Sequence, residues 1–86
     1  MKDVYLLFEL IGKNIKRIRK ENFKVSQEKM AEDLDMSRSF ISHIESSNVD
    51  VGISIDTLFY ISQIYNIDIR EFFDGYEELL KKESNQ

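Results

Sequence analysis

A connection of two residues separates two helical segments and leaves room only for a sharp turn. In the first segment, Met30, Ala31 and Leu34 supply one apolar side. Ser37 then supplies an N-cap for the next helix. Such a turn needs a residue that tolerates a left-handed backbone, and aspartate, here Asp35, is among the few non-glycine residues that do. The sequence therefore predicts two short helices, about 26–34 and 37–45, that meet at a steep angle.

The rest of the chain also shows helical periodicity and no convincing strand. A first helix is predicted over 4–21, with an apolar stripe of Val4, Leu7, Phe8, Ile11, Ile15 and Ile18. Ser54 caps a fourth helix, whose expected core residues are Ile55, Leu58, Phe59, Ile61 and Ile64. A capping box at Asp68 and Glu71 opens a fifth, short helix that ends at Phe73. The predicted fold is all-α, with five helices and short N- and C-terminal extensions.

Composition limits the chain to one small globular domain, 1–86. It has 86 residues, of which 42% are hydrophobic and 33% charged. Without cysteine and with one histidine, it has no disulfide or cysteine-based zinc site, and we expect no metal or cofactor. The apolar run 4–8 is too short for a signal peptide or a membrane span, so a cytoplasmic protein with no membrane partner is expected. There is no glycine-rich phosphate loop and no paired nucleophile, so an enzyme is not expected.

Charge is distributed unevenly, although the net value is −4. Residues 1–44 carry nine basic and seven acidic side chains, a balance of +2, whereas 45–86 carry three and nine, a balance of −6. The segment 13–29 alone has seven basic and two acidic residues, a balance of +5. The first half is therefore suited to meet phosphates, with the second half turned away. An ordinary charged helix surface is the alternative.

The third predicted helix separates polar from apolar side chains. On a helical wheel its apolar side consists of Phe40, Ile41 and Ile44. Its polar side consists of Arg38, Ser39, Ser42 and His43. Because arginine pairs bidentately with guanine and serine contacts several bases, this polar side is suited to read base edges. A merely solvated face is the alternative, since most surface helices have one.

With these features in place, the sequence resembles the XRE family of helix-turn-helix domains, the type found in phage Cro proteins and repressors, and within it small regulators of the controller-protein kind. The resemblance covers the core 11–73 and leaves 74–86 as a C-terminal extension. It rests on the segments IGKNIKRIRKE (11–21), SQEKMA (26–31), SRSFISHIE (37–45), SIDTL (54–58) and the pair Phe72-Phe73. It implies a lambda-repressor-like fold and a transcriptional regulator that binds double-stranded DNA.

The resemblance also implies roles for particular residues. The expected base contacts are Arg38, Ser39, Ser42 and His43. The expected phosphate contacts are Gln27, Ser37, Ser46, Ser47 and Asn48. Arg19 and Glu45 are expected to form a structural ion pair, for which two separately solvated charges are the alternative. His43 stays open between a base contact and a solvated side chain.

Three features depart from the family pattern. The connection 22–25 is about one residue longer than usual and lacks its glycine. Asp35 replaces the glycine that is usual in the turn, which adds backbone strain but keeps the geometry. The loop 46–53 is longer than common.

Apolar residues outside the expected core predict a homodimer on a palindromic operator. Half-site readers pair so that their recognition helices lie about 34 Å apart, one turn of DNA. Unclaimed apolar surface commonly marks a partner interface. The interface candidates are Tyr60, Phe72, Tyr76, Leu79 and Leu80, together with the N-terminal segment. The alternative is that these residues cover the monomer's own core. For the function itself, the alternative is a module that binds a protein partner, such as an antitoxin or an anti-repressor.

Overall fold

The computed structural model describes residues 4–46 and 52–84, without the side chains of 82–84, and helices form most of this part of the chain. In chain order the elements are α1 (Val4–Arg17), a π-helical segment (Ile18–Phe23), α2 (Gln27–Leu34), α3 (Arg38–Glu45), α4 (Ile55–Tyr65), a 3₁₀ segment (Ile69–Phe73) and α5 (Tyr76–Ser84). No strand occurs in this described part. The predicted all-α helix-turn-helix domain is confirmed. None of the described helices is long and apolar enough to cross a membrane.

Serine hydroxyls begin three of these helices, as the sequence predicted. Ser26 Oγ accepts from Lys29 N at 3.0 Å, and Ser37 Oγ accepts from Phe40 N at 3.0 Å. The third hydroxyl, that of Ser54, caps α4. Each hydroxyl satisfies one of the N–H groups that have no partner within the first turn of a helix. The turn between α2 and α3 is also confirmed, since Asp35 is left-handed with φ 54°.

The first helix differs from its predicted form because its last turns are π-helical. The wider turn accommodates the extra residue of the 22–25 connection without disrupting the helix. Lys24 then adopts a left-handed conformation, with φ 55° and ψ 42°, and takes the place of the missing glycine. Its N–H and that of Val25 both donate to the carbonyl oxygen of Arg19. The longer 22–25 connection seen in the sequence therefore changes only the end of the first helix and the turn that follows it.

The core lies between α1, α2, α3, α4 and the 3₁₀ segment. Its largest fully buried side chains are Ile15, Ile18, Met30, Leu34, Ile41, Leu58, Ile61 and Phe72. Phe72 is only 1% exposed, so its assignment as an interface candidate is wrong. The fourth helix also differs from the prediction, because Ile55, Phe59 and Ile64 are 65%, 55% and 47% exposed. Leu58 and Ile61 are the buried apolar side chains of α4, and Tyr65 packs partly buried against the core, because only one side of this helix faces it.

Two small residues of α1 set how closely its neighbours pack. Gly12 lies against the backbone of α3, where a Cβ atom would overlap the carbonyl oxygen of Ile44. Two residues further on, the buried Asn14 donates through Nδ2 to the carbonyl oxygens of Phe72 and Asp74, at 2.8 and 2.9 Å. Helix α1 therefore determines how closely α3 packs against it, and it also holds the end of the 3₁₀ segment.

Two tyrosines of α4 hold the end of α2. Tyr60 donates its hydroxyl to the carbonyl oxygen of Leu34 at 2.9 Å, and Tyr65 donates to Asp33 Oδ2 at 2.8 Å. The hydrogen bonds from Lys29 and Tyr65 lower the pKa of Asp33. Burial and the bond to Asp33 raise the pKa of the Tyr65 hydroxyl. Because the pKa of Asp33 is lowered in the folded state, its carboxylate stabilises the fold at pH values above the ordinary aspartate pKa. This stabilisation is lost as the pH falls through the folded-state pKa.

Replacing Gly12 with alanine should destabilise the fold by about 1–3 kcal/mol, because α1 and α3 must separate to admit the methyl group. The midpoint of urea denaturation measures this effect. Gly52→Ala is the matched control, since its added Cβ would meet only the ring of Phe8, at 3.3 Å. Equal midpoints for the two variants would show that the close approach at Gly12 is unimportant.

Candidate nucleic-acid interface

The outer side of α3 brings together the four side chains predicted to contact bases. Ile41 and Ile44 are buried beneath the helix, whereas Arg38, Ser39, Ser42 and His43 are all exposed. The same four residues line a surface depression of about 180 Å³. An arginine, two hydroxyls and an imidazole give this surface both donors and acceptors at the spacing of adjacent helical turns. Such a surface matches the base-edge chemistry of the DNA major groove.

The arginine on this surface has no charged partner within the part of the chain that the structure describes. No carboxylate of the described residues lies within 4.0 Å of the Arg38 guanidinium. In contrast, Lys29 on α2 pairs with Asp33 at 3.0 Å. Arg38 is also the first residue of α3, so the length of its side chain is available to reach beyond the helix. Toward the described residues, its five N–H donors are free for an external acceptor.

A buried ion pair holds the C-terminal end of α3. Arg19 Nε lies 2.6 Å from Glu45 Oε2, and Arg19 Nη2 lies 2.9 Å from Glu45 Oε1. Both residues are only 6% exposed. Arg19 Nη1 also donates to the carbonyl oxygen of Val25 at 2.8 Å. The bidentate geometry confirms the predicted pair and excludes two separately solvated charges.

Gln27 joins this network, which the sequence did not predict. Its Nε2 donates to Glu45 Oε1 at 3.0 Å, across 18 positions of sequence. Gln27 is also the first residue of α2, and it is half-buried. The bond uses one of the two amide hydrogens, which leaves the second hydrogen and the carbonyl oxygen for another partner. No local spacing signals this contact, because it depends on how the turn brings α2 and the end of α3 together.

Two of the other predicted phosphate contacts lie at the two ends of α3. The Ser37 hydroxyl is the N-cap, and it is exposed. At the opposite end, Ser46 donates its hydroxyl to the carbonyl oxygen of His43 at 2.9 Å. Ser47 and Asn48 lie outside the described residues.

The other residues predicted to form the dimer interface differ in how far their side chains are exposed. Tyr76 and Leu80 are exposed on α5, and Leu79 between them is half-buried. Tyr60 is exposed although its hydroxyl is bonded to α2. The sequence missed the exposed side chains of Ile55, Phe59 and Ile64, which it had placed in the core. Among the described residues, no group of three potential metal ligands is present.

Comparison with known proteins agrees with this geometry. The profile of a family described as "Helix-turn-helix domain" matches residues 12–78. The chain is similar to control protein C.MunI of a Mycoplasma species, at 33% identity over 78 residues, which cover 91% of this chain and 99% of the relative. It is also similar to control protein C.BamHI of Bacillus amyloliquefaciens, at 32% identity over 65 residues, which cover 76% and 78%. No solved structure matches the chain significantly.

Removal of the Glu45 carboxylate should destabilise the fold by about 3–5 kcal/mol, because Arg19 is then buried without its charge partner. Glu45→Ala tests this in urea denaturation. The double variant Arg19→Met with Glu45→Leu should recover much of the loss, because it leaves no buried charge. Lys13→Ala is the matched control, since it breaks an exposed pair with Glu9. An effect of Glu45→Ala as small as that of Lys13→Ala would contradict a buried, desolvated pair.

Proposed function

The chain belongs to the helix-turn-helix domain family and is a DNA-binding transcriptional regulator, and we propose that it reads a specific DNA sequence in the major groove as a homodimer. The observation that carries this proposal is the outer side of α3. There, four polar side chains stand exposed on a helix whose opposite side buries Ile41 and Ile44. We propose that the regulator acts as a repressor or autoregulator, and the control-protein names of the two relatives support a role of this kind.

Base recognition is assigned to Arg38, Ser39, Ser42 and His43. Arg38 is the strongest candidate for a guanine contact, because its guanidinium has no ion pair with any described residue and a bidentate contact needs two free donors. The two serines and the histidine offer shorter reach and are suited to bases directly beneath the helix. Because these side chains lie on successive turns of α3, they are suited to successive bases along the groove.

Phosphate binding is assigned to the ends of α2 and α3. Gln27 lies at the first position of α2, where unpaired backbone N–H groups favour an anion. Ser37 and Ser46 flank α3, and Ser47 and Asn48 are retained as proposed contacts beyond it. These contacts orient the protein on the duplex, whereas the base contacts select the sequence.

The homodimer is proposed to form through the outward side of α4. Ile55 and Phe59 lie along one edge of that side, and Tyr60 and Ile64 lie along the other. Large apolar side chains exposed along a helix are typical of a protein interface. A second copy is the occupant we propose, because a two-fold pair matches the symmetry of a palindromic site. Tyr76, Leu79 and Leu80 of α5 remain the competing location for the same contact.

Selection of bound sequences from a random duplex pool tests this function. The expected result is a two-fold symmetric site with half-sites about 34 Å apart, centre to centre. Arg38→Ala should cost about 1–3 kcal/mol of binding to the selected site and relax the choice at one base pair. Gln27→Ala should weaken binding to every duplex alike, because phosphates carry no direct base information. Absence of enrichment, with only weak salt-sensitive binding, would favour the protein-interaction alternative.

The proposed dimer contact is tested by two charge substitutions, one on each candidate helix. Phe59→Glu should raise the dimer dissociation constant at least about 30-fold, because it places a charge in the buried part of the interface. Leu80→Glu should leave the dissociation constant unchanged. Light scattering at tens of micromolar measures both. The opposite order would move the interface to α5, and a wild-type protein that is monomeric throughout would refute the homodimer.

A further inference from the structure

Lys24 adopts a backbone conformation that lysine rarely occupies. Three residues other than glycine have positive φ in the described chain: Lys24, Asp35 and Asn66, at 55°, 54° and 53°. Aspartate and asparagine visit this region readily because their short side chains form local hydrogen bonds. Lysine has no such compensation, and glycine would fit the same turn with less strain. A reason for the lysine must therefore lie in its side chain.

The Lys24 side chain makes no contribution to the turn itself. The turn is held by backbone groups, since the N–H groups of Lys24 and Val25 both donate to the carbonyl oxygen of Arg19. The side chain is exposed, and no carboxylate of the described residues lies within 4.0 Å of its ammonium group. Lys24 therefore carries backbone strain at a position whose charge has no ion-pair partner among the described residues.

Unpaired cations are concentrated around this turn. Along α1, Lys13 pairs with Glu9 at 3.3 Å and Arg17 pairs with Asp74 at 3.7 Å. Among the described side chains, the basic residues without an ion pair are Lys16, Lys20, Lys24, Arg38 and Lys81. Three of these five follow one another at four-residue spacing from α1 to the start of α2. A row of exposed, unpaired cations is the electrostatic footprint of a phosphate-binding surface.

The same turn is tied to the end of the recognition helix. The carbonyl oxygen of Val25 accepts from Arg19 Nη1 at 2.8 Å, and Arg19 holds Glu45 at the last position of α3. Helix α2 opens two residues later, and its first intrahelical bond runs from Met30 N to the carbonyl oxygen of Ser26. When a recognition helix enters the major groove, the preceding helix crosses the DNA backbone. The turn at Lys24 leads directly into that helix.

We propose that Lys24 binds a phosphate of duplex DNA beside the N-terminus of α2. This inference rests on the proposed DNA-binding function and extends it to a residue outside the four base contacts and the phosphate contacts named above. The left-handed backbone of Lys24 sends the chain back toward the core at Val25, which is partly buried, and leaves the ammonium outside. The contact is independent of sequence, because a phosphate carries no base information.

Two substitutions at Lys24 separate its charge from its backbone strain. Lys24→Asn keeps a residue that tolerates the left-handed conformation, and Lys24→Gly removes the strain entirely. Both should retain or exceed the wild-type Tm while binding every duplex more weakly. On a random-sequence duplex, the slope of log Kobs against log salt concentration should fall by about 0.9 for each bound protomer.

Two matched controls complete the experiment. Asn66→Gly relieves the same strain at the end of α4, and Lys81→Asn removes an unpaired cation from α5. Neither should change the salt slope. A wild-type slope in both Lys24 variants would overturn this inference while leaving the proposed function intact. A wild-type chain without salt-sensitive binding to any duplex would overturn both.

Discussion

The buried pair of Arg19 and Glu45 is the contact on which the arrangement of the DNA-reading surface depends. Moving two charges out of water costs several kcal/mol for each ion, and only good geometry with further hydrogen bonds offsets that cost. Here the guanidinium contacts both carboxylate oxygens and the carbonyl oxygen of Val25, and Gln27 supplies a further bond to the carboxylate. One pair thereby joins the π-helical segment, the turn before α2, α2 itself and the end of α3. A shift of any of these elements breaks a charged hydrogen bond in a dry environment.

This anchoring explains how so small a chain presents a fixed recognition surface. Helix α3 has eight residues, which is too short to be stable alone in water. It is held instead by Ile41 and Ile44 beneath it, by Gly12 against its backbone and by the ion pair at its end. These packing contacts all come from the inner side of α3. The polar residues of the outer side take no part in this packing and are available to bind a partner.

The sequence predicted the local features of this fold better than its long-range ones. The serine caps and the left-handed Asp35 depend on neighbouring residues, so their chemistry is readable along the chain. In α4, apolar residues occur on both sides of the helix, and periodicity alone does not decide which side is buried. Phe72 was misassigned for a related reason, since a 3₁₀ segment of five residues has no amphipathic period to read. The bond from Gln27 to Glu45 could not be predicted, because it exists only once α2 and α3 have packed.

The three left-handed residues other than glycine in the described chain share a further property. Each is followed by an apolar residue that packs against the core: Val25, Met36 and Ile67. The N–H of that residue returns to the preceding helix, as from Met36 to the carbonyl oxygen of Ala31 and from Ile67 to that of Ser62, both at 2.9 Å. Because the apolar residue turns inward, the left-handed residue before it faces solvent in all three turns. The fold thus requires only a tolerable backbone at these positions and leaves the side chain to other demands. In two of these turns the residue is Asp35 or Asn66, which adopt the left-handed backbone readily, and in the turn before α2 it is Lys24.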